Sequence, residues 1–539
     1  MKRYYKTMLL ACLVMGGTTA CTDNLEIEQH GVQKYDTYYD TDAQIEAGIV
    51  ECYQQALNMG LGSFTNKALL DGDFWCGGGQ RGDNGGFEQM NEYRFSADLG
   101  AILSWFSGYY TGINRANTIL DRVPEGKSAV GDRARAEAKV FRGLFYFELA
   151  SMWGDVPCFD HVLEASEYAQ PNVPRSEIYQ FIQKDLSEAI SSGRLYEKKS
   201  IDGDADQWRV SKAFAQALLG KAYLWNGDAA QAGAQFDQVL SNPNYALYGG
   251  PGRPTDERYE NVIQARAKNN CESLFESQQV SDPSDWIFTT AGCMLRWRAS
   301  YFDFSGFHYG ADVDHNIMSY QSGQDYGFYN PTGTLYADFV KLEGENGLRL
   351  NQTMKTSAQL EDELGLKIQG IFYGVEDLFM WKWRAGFDTQ NWGVGYGPMS
   401  YTNNYRWMRL AEVYLLAAEA YVSSNNGKAT EYLNCVRRRA GEPDLASCTL
   451  EDIQIEKRCE LCGEGVRYQD IQRWGIAKDL LAKQGEKIPS TTKDGVIWDT
   501  KSNNDPSKYG YKTGKHEFLP IPFKEVKMNE NIKQNPGWD

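Results

Sequence analysis

The sequence predicts a mainly α-helical protein, a scaffold of paired helices carrying a large loop-rich, ligand-binding face. Three observations predict it. Apolar residues recur at helical spacing through 41–242 and again through 406–539. Between 243 and 405 that spacing is mostly absent, and Gly, Asn, Asp and aromatics crowd together, as in "SYFDFSGFHYGADVDHN" and "TQNWGVGYGPMSYTNN". Hydrophobic residues make up 42% and charged residues 24% of the 539, the balance of a folded soluble body.

The first element is an address. "MKRYYKTMLLACLVMGGTTAC" opens with Lys2, Arg3 and Lys6, continues with an apolar run from Met8 to Met15, and ends in small residues up to Ala20. This is the grammar of a secretory signal peptide. The run is shorter than the ~20 residues that span a bilayer. Cys21, behind Thr19-Ala20, fits the lipid-bearing first residue of a mature bacterial lipoprotein. Cys12 follows "LLA", a better local match, but has almost no apolar run before it. Residues 1–20 are therefore read as the signal, and 21–40 as a lipidated tether that holds the body at a membrane.

The helices follow in order. "TDAQIEAGIVECYQQAL" starts at the N-cap candidates Thr41 and Asp42. Residues 103–123 and 131–154 form an antiparallel pair joined by "PEGKSAV", and 175–192 forms a further helix. Residues 209–227 and 228–242 meet at "WNGD", and 406–441 repeats the arrangement. Small residues at such crossings let helices approach closely, the pattern of a tetratricopeptide (TPR)-like scaffold. No Pro- or Ser-rich linker divides the chain. Residues 41–539 read as one body: helical scaffold at 41–242 and 406–539, loop-rich binding region at 71–95 and 243–405.

Charge excludes one class of partner. The formal net charge is −17, and −20 without the three cations of residues 1–20. So acidic a surface lacks the basic footprint that nucleic acid needs. Aromatics are 13% of the chain, with 33 Tyr and 14 Trp. Packing between helices accounts for most of them; the rest offer flat faces for ligands.

Several motifs suggest chemistry and are better read as structure. Cys459 and Cys462 form a C-x-x-C, but a structural zinc needs four ligands and the nearest other cysteines, Cys435 and Cys448, stand alone. The pattern around the pair is helical, which puts both thiols on one packed face. Removing Cys12 and Cys21 from the 11 cysteines leaves nine, an odd number, so a fully disulfide-stapled scaffold is not implied. Glu456, Glu460 and Glu464, followed by Arg467, Asp470 and Arg473, read as an ion-paired network between helices, as do Glu412 and Glu419. "DGDADQW" begins like a calcium loop, but Gln207 and Ala213 stand where Gly and Glu are needed, so a solvated turn is expected. His308, Asp312, Asp314 and His315 group in one stretch, for which a polar loop is the simpler reading. No cofactor is expected, with a structural calcium left open.

Seven stretches, in order, carry a resemblance to the SusD-like (SusD/RagB) lipoproteins of Gram-negative bacteria. They are "CTDNLEIEQHG", "AEAKVFRGLFYFELASMWGDVPCF", "WRVSKAFAQALLGKAYLWNGD", "YNPTGTLYADF" with "GLRL", "RWMRLAEVYLLAAEAYV", "IEKRCELCGEGVRYQDIQRWG" and "FLPIPFKEVKMNENIKQNPGW". Together they cover essentially the whole mature chain. The resemblance implies four TPR-like pairs with a loop-rich ligand face, on the outer side of the outer membrane. It also implies capture of an oligosaccharide or polysaccharide, delivery to a SusC-like TonB-dependent transporter, and no catalysis.

Ligand contacts are expected from aromatics and polar anchors in the loops: Asp71, Asp73, Trp75 and Arg81 early, and Trp286, Trp297, Tyr301, Trp392 and Tyr396 later. Two other readings stand beside this one. The same architecture could capture peptides. A glycoside hydrolase would need two facing carboxylates, about 5–5.5 Å apart if retaining or about 6.5–9.5 Å if inverting.

Overall fold

A computed structural model describes residues 38–78, 85–254, 267–279, 327–383, 403–499 and 505–538, with short pieces in 257–263 and 301–306. Helix α1 (Asp42–Leu70) begins where expected. Thr41 caps it, exchanging hydrogen bonds with Gln44 in a capping box. It runs on to Leu70 because Phe64, Ala68 and Leu69 continue its buried face. At ~1.5 Å per residue it is a rod of about 43 Å. Strand β1 (Phe74–Cys76) and helix α2 (Gly85–Asn91) follow.

The scaffold helices then come in sequence. α3 (Gly100–Arg122) packs on α4 (Ala129–Trp153), α4 on α5 (Arg175–Ser191), and α5 on α6 (Lys212–Trp225). α6 turns through Asn226–Asp228 into α7 (Ala229–Leu240). A Cβ on Gly220 would stand 2.4 Å from the Phe236 ring, so the glycine is what lets α6 and α7 close on that ring.

Residues 243–405 depart from expectation in carrying regular structure. β2 (Ser273–Ser277), β3 (Phe302–Asp303) and β4 (Tyr329–Pro331) come first. Then come α8 (Gly333–Glu343), α9 (Leu348–Thr353), β5 (Met354–Thr356) and α10 (Ser357–Leu364). β6 (Lys367–Ile368), β7 (Phe372–Tyr373) and β8 (Leu378–Met380) complete the stretch. Most of these elements are too short for apolar periodicity to show; caps mark the helices instead. Thr332 caps α8, and Thr356 with Gln359 forms a capping box on α10. A small second core lies here, built from Phe302, Leu360, Leu364, Phe372, Phe379 and Trp381 among others.

The C-terminal part starts with a correction. "RWMR" (406–409), read as the start of a helix, lies in strand β9 (Tyr405–Arg409), buried throughout and paired antiparallel with β2. Pairing with a buried edge overrides the local helical pattern. α11 (Leu410–Tyr421), which packs on α7, then pairs with α12 (Asn426–Arg439). α13 (Leu450–Glu460), α14 (Arg467–Arg473) and α15 (Ala477–Leu481) follow. Hairpin β10 (Ile488–Thr492) and β11 (Gly495–Asp499) and helix α16 (Phe523–Met528) close the chain.

Because α13 ends at Glu460, Cys462 lies in the turn beyond it, not on the helical face it was expected to share with Cys459. Both thiols are free and buried, and burial pushes both above the usual thiol range. Among the described residues no group of His, Cys, Asp and Glu could hold a metal ion. Among them, too, no helix is long and apolar enough to cross a membrane.

Candidate ligand-binding face

Behind the face lies a buried ionic hub. Arg409, at the end of β9, bonds Glu272 at 2.6 Å and Glu460 and Glu464 at 2.7 Å. Arg439 on α12 bonds Glu272 at 3.1 Å and also Glu460. Arg349 on α9 reaches Glu343 and Glu456, and Glu460 at 3.1 Å. Arg437 reaches Glu456 at 3.2 Å, and Lys382 reaches Glu464 at 2.7 Å. Five cations thus meet five carboxylates, all buried. Such a cluster is tolerable only because every charge is compensated. Burial alone would raise the Glu460 carboxyl, but Arg439, Arg409 and Arg349 hold it well below the usual range. Burial likewise opposes ionisation of Glu464, yet Arg409 and Lys382 bring it down to about 2. The hub joins α12 and α13 to α8, α9 and the end of β8, so it fixes the inserted elements on the helical scaffold. Glu412 and Glu419 are also paired, with Lys221 at 2.9 Å and with Arg473.

Asp71 and Asp73 require a correction. They were expected to present carboxylates to a ligand, but only 4% and 1% of each is exposed. Asp73 bonds Arg458 at 2.8 Å and Arg467 at 2.9 Å. Asp71 accepts a hydrogen bond from the Asp73 backbone N–H at 2.8 Å. Burial, reinforced by the neighbouring Asp73, pushes the Asp71 carboxyl well up. The pair forms the floor that ties the base of β1 to α13 and α14.

Trp75 stands on that floor and faces outward. Along β1, Phe74 and Cys76 are buried while Trp75 is half-buried. Its indole N–H donates to Glu376 Oε2 at 2.9 Å, and the same oxygen accepts from the Gly333 N–H at 2.8 Å. Glu376, itself half-buried, fixes the ring. Trp498 on β11, 42% exposed, meets the Trp75 ring edge to face, centroids 6.0 Å apart at 76°. The supporting sheet runs β11–β10–β7, with Trp498 opposite Pro489 and Ser490 opposite Tyr373.

The β7–β8 turn closes against β1 at Gly374, φ +67°, where a Cβ would sit 2.3 Å from the Cys76 carbonyl oxygen. Only glycine fits there. On the far strand of the sheet, Tyr301 packs edge to face on Phe372, centroids 5.4 Å apart. Two strand spacings, about 10 Å, separate β7 from β11. Beside Tyr301 and Trp498, Ile371 and Ile497 are exposed.

Of the expected contacts, the structure brings Trp75 to an exposed aromatic pair and puts Tyr301 at the edge of the same sheet. Arg81, Trp286, Trp297, Trp392 and Tyr396 lie outside the described residues, as do Cys21, His308, Asp312, Asp314 and His315. The 202–208 stretch is a turn, in which Asp204 accepts from the Tyr196 hydroxyl at 2.8 Å and the Asp206 N–H at 2.9 Å. Sequence reasoning missed Trp498 and Glu376. The signal for Trp498 was the hairpin dipeptide Asp494-Gly495 between β-branched residues.

Comparison with known proteins agrees with this architecture. Two family models match: one described as the SusD family over residues 378–538, the other as starch-binding associating with outer membrane over residues 31–224. SusD-like protein P2 of Formosa agariphila is 24% identical over 100% of both chains. Starch-binding protein SusD of Bacteroides thetaiotaomicron is 23% identical over 79% of this chain and 76% of its own. Among solved structures, a laminarin binding SusD-like protein superposes with a TM-score of 0.73 at 27% identity, covering 92% of this chain and 99% of that one. Surface glycan-binding protein A from Bacteroides thetaiotaomicron in complex with laminarihexaose gives 0.68 at 21% identity, over 92% and 99%. With its paired helices and its motifs in order, the chain is similar to the SusD-like family in its N-terminal and C-terminal parts, over residues 31–224 and 378–538.

Proposed function

We propose that the protein is a cell-surface glycan-binding lipoprotein. It captures oligosaccharides at the Trp75–Trp498 face and passes them to a SusC-like TonB-dependent transporter. Cys21 carries the lipid that anchors it to the outer membrane, and the body faces the cell exterior. The observation that carries the reading is the aromatic pair itself. An exposed Trp498 and a half-buried Trp75 meet edge to face, beside the half-buried Glu376, on a floor fixed by buried ion pairs. A sugar's C–H face stacks on such rings while Glu376 takes its hydroxyls. Arg81, Trp286, Trp297, Trp392 and Tyr396 remain further ligand contacts in this reading.

Capture proceeds without catalysis. The carboxylates nearest Trp75 in sequence, Asp71 and Asp73, are engaged in the floor and do not face each other across a cleft. The starch-binding and laminarin-binding relatives make starch and laminarin the first ligands to try. Affinity electrophoresis through gels containing starch, laminarin, and plant, host and microbial polysaccharides tests the reading. Retardation by at least one glycan, with no new reducing ends, is expected. Passage through every gel unretarded, or release of reducing ends, would sink it.

A further inference from the structure

We propose that a cavity between the α5–α6 connection and helices α6 and α7 binds a hydroxylated carboxylate of monosaccharide size. It lies on the helical scaffold and does not rest on the aromatic-face reading. Its volume is about 250 Å³. That is below the roughly 300 Å³ at which drug-sized sites begin, which limits the occupant to a single ring. Its walls are polar: Lys198, Tyr245, Gln216, Gln238 and, at the rim, the Lys212–Glu197 ion pair at 3.1 Å.

Lys198 is the reason for an anion. Only 5% of it is exposed, yet no carboxylate lies within ion-pairing distance among the described residues. The chain elsewhere compensates its buried cations, five against five in the hub alone. The ammonium has three N–H donors. One goes to the Asn270 carbonyl at 2.9 Å, and the charge lies 5.1 Å from the centre of the Tyr245 ring. No other acceptor meets it among the described residues. Burial pulls its pKa below the usual lysine range, outweighing the more distant Glu276 and Asp204, which act the other way. Lys198 and Tyr245 also line an adjoining space of about 10 Å³ together with Gln207, whose buried Oε1 has no hydrogen-bond partner.

Polar capacity is thus unfilled on both sides of the lysine. A carboxylate would meet the ammonium, and ring hydroxyls would meet the amides of Gln216 and Gln238, which already point at each other at 2.6 Å. Size alone would favour a groove of about 600 Å³ between α4 and α5. There, however, Lys139 pairs with Glu188 at 2.6 Å and Arg194 with Asp132 at 3.4 Å, while Arg135 donates to the carbonyls of Leu120 at 2.6 Å and Val123 at 2.7 Å.

Isothermal titration of the full mature chain with galacturonate and with galactose tests this. The two probes differ by a carboxylate in place of a hydroxymethyl group. Galacturonate is expected to bind at least about tenfold more tightly. Lys198→Met, which keeps the apolar stem, should abolish the preference. Gln238→Leu, on the exposed rim, should weaken galacturonate while leaving the fold untouched. Trp498→Ala should leave galacturonate affinity unchanged, which separates this cavity from the aromatic face. No heat with galacturonate, equal affinity for both sugars, or undiminished galacturonate binding in the Lys198 and Gln238 variants would overturn the proposal. So would loss of galacturonate binding in Trp498→Ala.

Discussion

Arg409 and Trp498 mark opposite extremes of this molecule. Arg409 is buried, with three carboxylates and the Glu460 carbonyl around its guanidinium. Trp498 stands on a hairpin with two-fifths of its surface in solvent and the Trp75 ring beside it. The same contrast recurs at short range along β1. Asp73 is buried under two arginines, while Glu376 holds Trp75 from the surface. The difference teaches how the chain divides its labour. Charge is spent inside, where pairing fixes geometry, and aromatic surface is kept outside, where a large ring costs little stability and can meet a ligand.

Breaking the hub should have the largest effect. Arg409→Met leaves Glu272, Glu460 and Glu464 short of a cation and should cost about 5 kcal/mol or prevent folding, read as a fall in the urea midpoint. Asp73→Asn should cost about 3 kcal/mol, because Arg458 and Arg467 lose their shared carboxylate. It should also weaken glycan retention, since the floor under Trp75 loosens.

Acid should act on the same region. Glu464 has a folded pKa of about 2 against an ordinary 4.5. A depressed carboxyl stabilises the fold fully above its unfolded value and loses that contribution as pH falls through its folded value. Urea midpoints measured from pH 5 downward should therefore decline toward pH ~2, and Glu464→Gln should remove about 3 kcal/mol of that dependence. A dependence as steep in Glu464→Gln as in the parent would refute this assignment. Trp498→Ala is the mildest for the fold, with a stability change within ~0.5 kcal/mol.

Much of the scaffold was legible because α3 to α7 and α11 to α13 are long enough to show period and caps. α9 and α10 were not, being too short, α8 was hidden by the Gly-, Asn- and Asp-rich text around it, and β9 was misread because its partner β2 lies far away in sequence. Glu456, Glu460 and Glu464 announced a network by their spacing. Their partners Arg349 and Lys382 sit on the inserted elements, and no local pattern links the two. Trp75 was legible as an aromatic in a glycine-rich stretch. Asp71 and Asp73 were misjudged there because spacing cannot separate the rim of a loop from its floor. Trp498 escaped notice because only the folded sheet carries its hairpin to β1.

The central claim is that the Trp75–Trp498 pair binds glycan without holding the fold. Calorimetric titration of Trp498→Ala and Trp75→Ala with whichever oligosaccharide the parent binds, alongside their thermal melts, tests it directly. The account predicts an affinity loss of about 2 kcal/mol or more for Trp498→Ala with an unchanged melt, and a loss at least as large for Trp75→Ala. Parental affinity in both variants would contradict it.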